Sequence, residues 1–165
     1  LGDAAILKVL IKILSENKIK VIKLNTFNPE LTLKKGIYTK IKPNLLEKKE
    51  IYKGINTLKK INSYNHIQAV IIRDNKVISR ETRKGTKQMI KSISKSKIKR
   101  GILIKLPKIK QDLRVDLPTI GIDTFKDCNN AGIKRIVVKA NQNILLNKEL
   151  SIKYANKNKL FLVAI

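Results

Sequence analysis

Between Lys105 and Gly121 the chain reads Lys-Leu-Pro-Lys-Ile-Lys-Gln-Asp-Leu-Arg-Val-Asp-Leu-Pro-Thr-Ile-Gly, a stretch that gathers charges of both signs. Asp112, Arg114 and Asp116 alternate there with Leu113, Val115 and Leu117. In an extended backbone successive side chains point to opposite faces, so the spacing predicts one face presenting carboxylate, guanidinium and carboxylate while the apolar three face the core. Mg²⁺ takes one or two carboxylates together with substrate phosphate, and guanidinium offers phosphate a planar fork of donors. Lys105 and Lys108 would add point charges, and a helix opening at Pro118-Thr119 would present free backbone N–H groups to an anion. The plainer reading of the same residues is a surface ion pair between Asp112 and Arg114, worth under about 1 kcal/mol, with Asp116 fixing the turn before Pro118.

The elements that must carry this stretch follow from periodicity. Leu7, Leu10, Ile11 and Leu14 recur at helical spacing after Asp3, a good N-cap, which predicts a helix over 4–17 with a wide buried face. Residues 20–24 read as a short strand. Residues 25–43, with Pro29, Gly36 and Pro43, read as a long connection holding an extended piece at 36–41. Asn44 with Glu47 three residues on is a cap-like start for a second helix to about Asn62, with an inner stripe of Ile51, Ile55 and Leu58. The period then changes, since 68–72 and 77–81 are β-branched runs about Arg73-Asp74-Asn75-Lys76, a hairpin turn. Gly85-Thr86 opens a helix holding Met89, Ile90 and Ile93. Beyond it, strands are expected at 101–106, 133–138, 143–146 and 160–165, with helices at 118–130 and 148–156. Such alternation predicts an α/β fold, a single domain with a mixed sheet flanked by helices over residues 1–165.

Composition bounds the function. The 165 residues hold 37 Lys+Arg against 12 Asp+Glu, a formal net charge of +25. One cysteine and one histidine exclude an internal disulfide and a structural zinc cage. Lysines interrupt every apolar run before the roughly 18 residues of a membrane span. The charge alone suggests a polyanion partner, yet 31 of the basic residues are Lys, and Lys, Ile and Asn together fill 73 positions, the surplus that AT-rich codons produce. With few aromatics for base stacking, nucleic acid is not the expected partner. The chain begins Leu1-Gly2-Asp3, without Met or a signal-peptide pattern, and is read as a piece of a longer protein.

The word Lys-Gln-Asp-Leu-Arg-Val-Asp-Leu-Pro-Thr-Ile-Gly at 110–121 resembles the signature of the LpxI family, UDP-2,3-diacylglucosamine pyrophosphatases of lipid A biosynthesis in Gram-negative bacteria. Four further blocks fall in the family's order. Gly2-Asp3 with Ala-Ile-Leu resembles its Gly-Asp-Asp-Ala-Leu-Leu helix start, and Gln68-Ala69-Val70 its Gly-Gln-x-Val-Val strand. Glu81 to Met89 resembles Glu-Ala-x-Glu-Gly-Thr-Asp-Ala-Met, and 160–165 resembles Gly-Leu-Phe-Val-Val-Gly. The resemblance implies a Mg²⁺-dependent hydrolase releasing UMP and 2,3-diacylglucosamine 1-phosphate. In the family the acidic residue of the Arg-Val-Asp-Leu-Pro motif is needed for activity; that residue here is Asp116, the candidate for catalysis and for the metal, with Asp112 and Glu81 as further metal candidates. Candidate substrate contacts are Lys105, Lys108, Arg114 and Thr119, joined by Gln111, Gln68, Gly85 and Thr86 from the matching blocks. The resemblance also implies an N-terminal domain that this chain lacks, residues 1–3 being the end of the linker to it, and a site at the cytoplasmic face of the inner membrane. The basic run from Lys91 to Arg100 is a candidate contact for anionic lipid headgroups.

The family's Glu-Gly-Thr-Asp reads Lys84-Gly85-Thr86-Lys87 here, so two acidic positions are basic. If those carboxylates hold Mg²⁺ in the family, two ammonium groups would repel it; if they face solvent, the change belongs to the general lysine excess. A family member that keeps the fold without the reaction, and a basic non-enzymatic domain that binds nucleic acid or anionic membrane, are therefore the competing readings. His66 is expected in a surface turn, and Cys128 and Met89 in the core.

Overall fold

The computed structural model describes residues 3–61, 67–93, 100–109 and 111–165. His66, Lys110 and residues 94–99 of the basic run lie outside the described residues. Eight strands, β1 (Gly36–Ile37), β2 (Ala69–Arg73), β3 (Lys76–Arg80), β4 (Gly101–Lys105), β5 (Thr119–Ile120), β6 (Ile133–Val138), β7 (Ile144–Leu145) and β8 (Phe161–Ala164), are described. With them stand six helices, α1 (Asp3–Glu16), α2 (Leu24–Phe27), α3 (Leu45–Ile61), α4 (Gly85–Lys91), α5 (Ile122–Asn130) and α6 (Lys148–Lys157). Six strands make one sheet in the order β1-β8-β6-β4-β2-β3. The central β4, β6 and β8 are parallel, while β2, β3 and β1 run antiparallel to their neighbours, so the sheet is mixed as the sequence predicts.

Helices cover both faces of the sheet, which is why β2, β4 and β8 are almost continuously buried, while the edge strand β3 alternates. Val70, Ile72, Ile102, Ile104, Val137, Phe161 and Val163 pack with Ile51 and Leu58 of α3. Ala69, Ile71, Leu103, Ile136, Val138 and Leu162 point the other way, to Met89, Ile90, Phe125, Cys128 and Ala155 of α4, α5 and α6. The capping box at the start of α3 is present: Glu47 N–H donates to Asn44 Oδ1 at 2.9 Å, and Asn44 N–H donates to Glu47 Oε2 at 2.8 Å. Glu47 Oε1 also receives Arg135 Nε at 2.5 Å, and the Arg135 guanidinium lies 5.6 Å from the Phe161 ring centre, which fastens α3 to β6 and β8. The β2–β3 hairpin turns on Asp74 and Asn75, with φ of +49° and +56°, the left-handed pair that matches strand twist.

One glycine sets how closely α3 lies on the sheet. A Cβ at Gly54 would sit 1.9 Å from Ile104 Cδ1 and 3.1 Å from Ile72 Cγ1. Gly54→Val forces helix and sheet apart, and urea denaturation should record a loss of about 1–3 kcal/mol; an unchanged midpoint would show that the contact relaxes freely. Cys128 is in the core as expected, and burial pushes its thiol far above the usual range. It should react with a disulfide reagent such as DTNB only after denaturation, whereas rapid labelling of the native protein would contradict this burial.

Three expectations are corrected. Residues 20–24 form no strand; Leu24 to Phe27 instead make the single turn α2. Pro118-Thr119 does not open a helix, because Thr119 and Ile120 pair with Ile144 and Leu145 as a small parallel sheet, and α5 begins only at Ile122. The β-branched pair Thr119-Ile120 follows a proline that disfavours helix just before it, and backbone pairing with β7 takes up its polar groups. Finally, α1 lacks the wide buried face: of its expected stripe Leu10 is about half exposed and Leu7, Ile11 and Leu14 are only half-buried, and Ile6, Val9 and Ile13 are about half exposed as well.

Candidate active site

The parallel strands β4 and β6 end together, Lys105 beside Val138, and the chain leaves β4 there for the 106–118 loop. The carboxyl ends of parallel strands are where α/β sheets open to ligands. Both ends of the loop are fastened. Leu106 N–H donates to the Gln68 carbonyl at 2.9 Å, and Ile144 N–H donates to the Pro118 carbonyl at 3.0 Å. Asn143 bridges the strand ends, donating through Nδ2 to the Lys105 carbonyl at 3.2 Å and accepting at Oδ1 from Lys139 N–H at 2.9 Å. No sequence pattern marked Asn143; a lone asparagine before a two-residue strand carries no signal until β4 and β6 are side by side.

Beneath the loop, five of the candidate residues come together from four parts of the chain. Glu81, 3% exposed, accepts Gln68 N–H at Oε2 (2.9 Å) and the Thr86 hydroxyl at Oε1. Lys105, 8% exposed, turns its Nζ inward and donates to the Thr119 carbonyl at 3.0 Å. Burial lowers the Lys105 pKa, and the nearby Glu81 carboxylate opposes that shift. Lys105 is therefore a buried tie between β4 and β5, not a surface charge. Thr119 spends its hydroxyl on the Leu117 carbonyl at 3.1 Å. Gln68 Oε1 is buried with no hydrogen-bond partner among the described residues. Gly85, at φ +81°, makes the turn that brings Thr86 onto Glu81. Lys84 and Lys87, on either side, are exposed.

The loop above is folded back on itself, which corrects the expected alternation. Val115 and Asp116 N–H donate to the Asp112 carbonyl at 3.2 and 2.9 Å, a turn in which Leu113, Val115 and Leu117 are all only half-buried. The cause is local: the Asp112 carboxylate accepts Arg114 N–H at 3.0 Å, an Asx-type turn, and also takes the guanidinium, with Arg114 Nη2 2.7 Å from Oδ2. These hydrogen bonds hold the Asp112 carboxyl below its usual range, and Lys8 adds a smaller pull in the same direction. A second turn precedes this one, where Lys108 N–H donates to Gln111 Oε1 at 2.9 Å and Gln111 N–H returns to the Lys108 carbonyl at 3.1 Å. Gln111 is thus a turn-closing residue in this structure.

What remains for chemistry is specific. Asp112 is committed to Arg114, and Glu81 to Gln68 and Thr86. The half-buried Asp116 carboxylate has no hydrogen-bond or ion-pair partner among the described residues. No group of three or more His, Cys, Asp or Glu side chains converges among the described residues. One carboxylate is thus left over at the loop, and the described residues offer no preformed protein cage for a metal; a divalent ion here would need further oxygens from a bound ligand.

The fold is a mixed α/β domain whose polar cluster and uncommitted carboxylate belong to the carboxyl ends of its parallel strands and the loop that leaves them. Residues 34–163 match the LpxI C-terminal domain, and the chain belongs to that family. It is 26% identical over 172 residues to the UDP-2,3-diacylglucosamine pyrophosphatase LpxI of Caulobacter vibrioides. That match takes in 99% of this chain and 61% of the Caulobacter protein, so the chain spans about three fifths of the length of this relative.

Proposed function

We propose that this chain is the catalytic part of a longer protein that hydrolyses the pyrophosphate of UDP-2,3-diacylglucosamine to UMP and 2,3-diacylglucosamine 1-phosphate, a step of lipid A biosynthesis at the cytoplasmic face of the inner membrane. The observation that carries the reading is Asp116: it stands in the motif word, on a loop fastened at both ends, with its carboxylate uncommitted. Water attacks one phosphorus, the bridging P–O bond breaks, and charge grows on the leaving phosphate oxygens. Asp116 orients the attacking water. Arg114 keeps its guanidinium at the loop surface through the Asp112 fork and faces the leaving charge, with Lys108 beside the same loop. Asp116 is the residue that would hold a Mg²⁺ ion, which would supply charge neutralisation at the pyrophosphate.

Glu81, Thr86, Lys105 and Thr119 act from below as the rigid support of that loop. The exposure of Lys84 and Lys87 favours the reading in which those two positions face solvent and their basic character leaves the metal undisturbed. The exposed face of α1, Ile6, Val9, Leu10 and Ile13, suits contact with the remaining part of the protein, which would complete the lipid site. No helix among the described residues is long and apolar enough to cross a membrane, and the basic surface suits peripheral contact with anionic lipid. The test is UMP release from UDP-2,3-diacylglucosamine by the full-length protein with Mg²⁺ and with EDTA. Metal-dependent release supports the reading. Absence of release, with salt-sensitive binding to polyanions instead, would favour a basic binding domain.

A further inference from the structure

Two adjacent residues hold both ends of the 106–118 loop. Asn143, 1% exposed, donates through Nδ2 to the Lys105 carbonyl at 3.2 Å, where the chain leaves β4 for the loop. Ile144 donates its N–H to the Pro118 carbonyl at 3.0 Å, where the loop ends, and pairs with Thr119 in the ladder of β5 and β7. The departing end is thus tied by a side chain and the returning end by the next backbone group, so residues 143–144 set the separation of the two ends. Of these two ties only the first depends on the identity of a side chain.

That side chain is itself fixed from behind. Lys139 to Asn143 make a tight turn in which Gln142 and Asn143 N–H both donate to the Lys139 carbonyl, at 3.3 and 3.2 Å, with Asn141 at φ +57°. Asn143 Oδ1 accepts Lys139 N–H at 2.9 Å, which anchors the amide plane to the end of β6 and leaves Nδ2 for Lys105. The partners settle which amide atom is which, because Lys139 N–H is a donor and the Lys105 carbonyl an acceptor. A buried position that must accept on one side and donate on the other is met by asparagine and by neither aspartate nor leucine.

The consequence falls on Asp116. Its carboxylate has no hydrogen-bond or ion-pair partner among the described residues, so its place follows from the backbone that carries it. That backbone is held at Asp116 N–H by the Asp112 carbonyl and, two residues on, at Pro118 by Ile144. Misplacing a reacting group by about 1 Å costs about 10²-fold in rate.

We propose that Asn143 is a positioning residue for the Asp116 loop, acting not by contact with the reacting bond but by fixing where the loop leaves the sheet. The kinetic part of this rests on Asp116 being the reacting carboxylate, as proposed above; the clamp on the loop does not.

Asn143→Asp is the discriminating variant, since its carboxylate still accepts Lys139 N–H but sets an oxygen against the Lys105 carbonyl. In the full-length protein, at a temperature where the variant is folded, kcat for UMP release should fall at least tenfold with KM within threefold of the parent. Backbone hydrogen exchange of the 106–118 segment should speed up at least tenfold while that of α3 does not. Asn143→Ser, whose hydroxyl can serve one of the two partners, should lie between and serves where Asn143→Asp does not fold. Ile51→Ala, a core truncation on α3, is the stability control: it should lower the unfolding midpoint and leave kcat unchanged. Parent-like kcat and loop exchange in Asn143→Asp, or a fall in kcat matched by Ile51→Ala at equal loss of stability, would overturn the role. If loop exchange responds as stated while the full-length parent releases no UMP, the clamp stands and the reaction proposed above is the part that fails.

Discussion

Asp116→Asn in the full-length protein lowers UMP release from UDP-2,3-diacylglucosamine by about 10²–10⁴-fold, the range spanned by losing one positioned acid–base or electrostatic group. Asparagine keeps the size and the backbone turn, because the Asp116 N–H bond to the Asp112 carbonyl is unaffected by the side chain. The loss should therefore fall on kcat with KM little changed. The Asp116 carboxylate has no partner among the described residues, so thermal unfolding of the variant should match that of the parent. Asp112→Asn is the instructive comparison. It weakens the Arg114 fork and loosens the turn, which should raise KM while leaving a measurable kcat. Turnover of Asp116→Asn within threefold of the parent would remove Asp116 from the chemistry.

Glu81→Leu should cost about 3–5 kcal/mol in urea denaturation at pH 7, the largest stability effect expected of a single replacement here. It strips the partner from Gln68 N–H and from the Thr86 hydroxyl and leaves the buried Lys105 ammonium without its nearest compensating charge. The pH dependence distinguishes this cause from simple misfit. Folding lowers the Lys105 pKa, so between the lowered folded value and the ordinary unfolded value near 10.5 the unfolded chain holds a proton that the folded chain lacks. In that window stability rises with pH. Without Glu81 the folded pKa falls further, the window widens toward neutral, and the penalty of the variant should shrink from pH 7 to pH 9.5. A penalty independent of pH would assign the loss to packing and not to Lys105. Glu81→Gln, which keeps an acceptor and the shape, should be milder.

Most of the frame was legible because its signals are local. The continuous apolar runs of β2, β4, β6 and β8, the Asn44/Glu47 box and the Asp74-Asn75 turn each depend on a few adjacent residues. The arrangement of the candidate residues was not legible. Gln68, Glu81, Thr86, Lys105 and Thr119 do meet, yet nothing in their spacing shows that Lys105 points inward, because its direction is set by the pairing of β5 with β7 after a crossing of the sheet end. The Asp112–Asp116 stretch was misread as extended for a definite reason. Alternation of polar and apolar residues also results when an aspartate caps its own turn, and only the carboxylate's bond to Arg114 N–H tells the two apart. For α1, an amphipathic pattern fixed that the helix has an apolar side but not what lies against it.

The fastening of the 106–118 loop separates what can vary from what cannot. One end is fixed at the Gln68 carbonyl and the other by β7, and the Lys105 ammonium holds the incoming strand β5. With both ends fixed, adding residues between them costs only the slow logarithmic rise of loop entropy, and the sheet beneath does not register the change. The segment that carries Asp116 can thus be rewritten in length and charge without a new fold having to be found. Within this architecture, reactivity is an insert and stability is the mount that receives it.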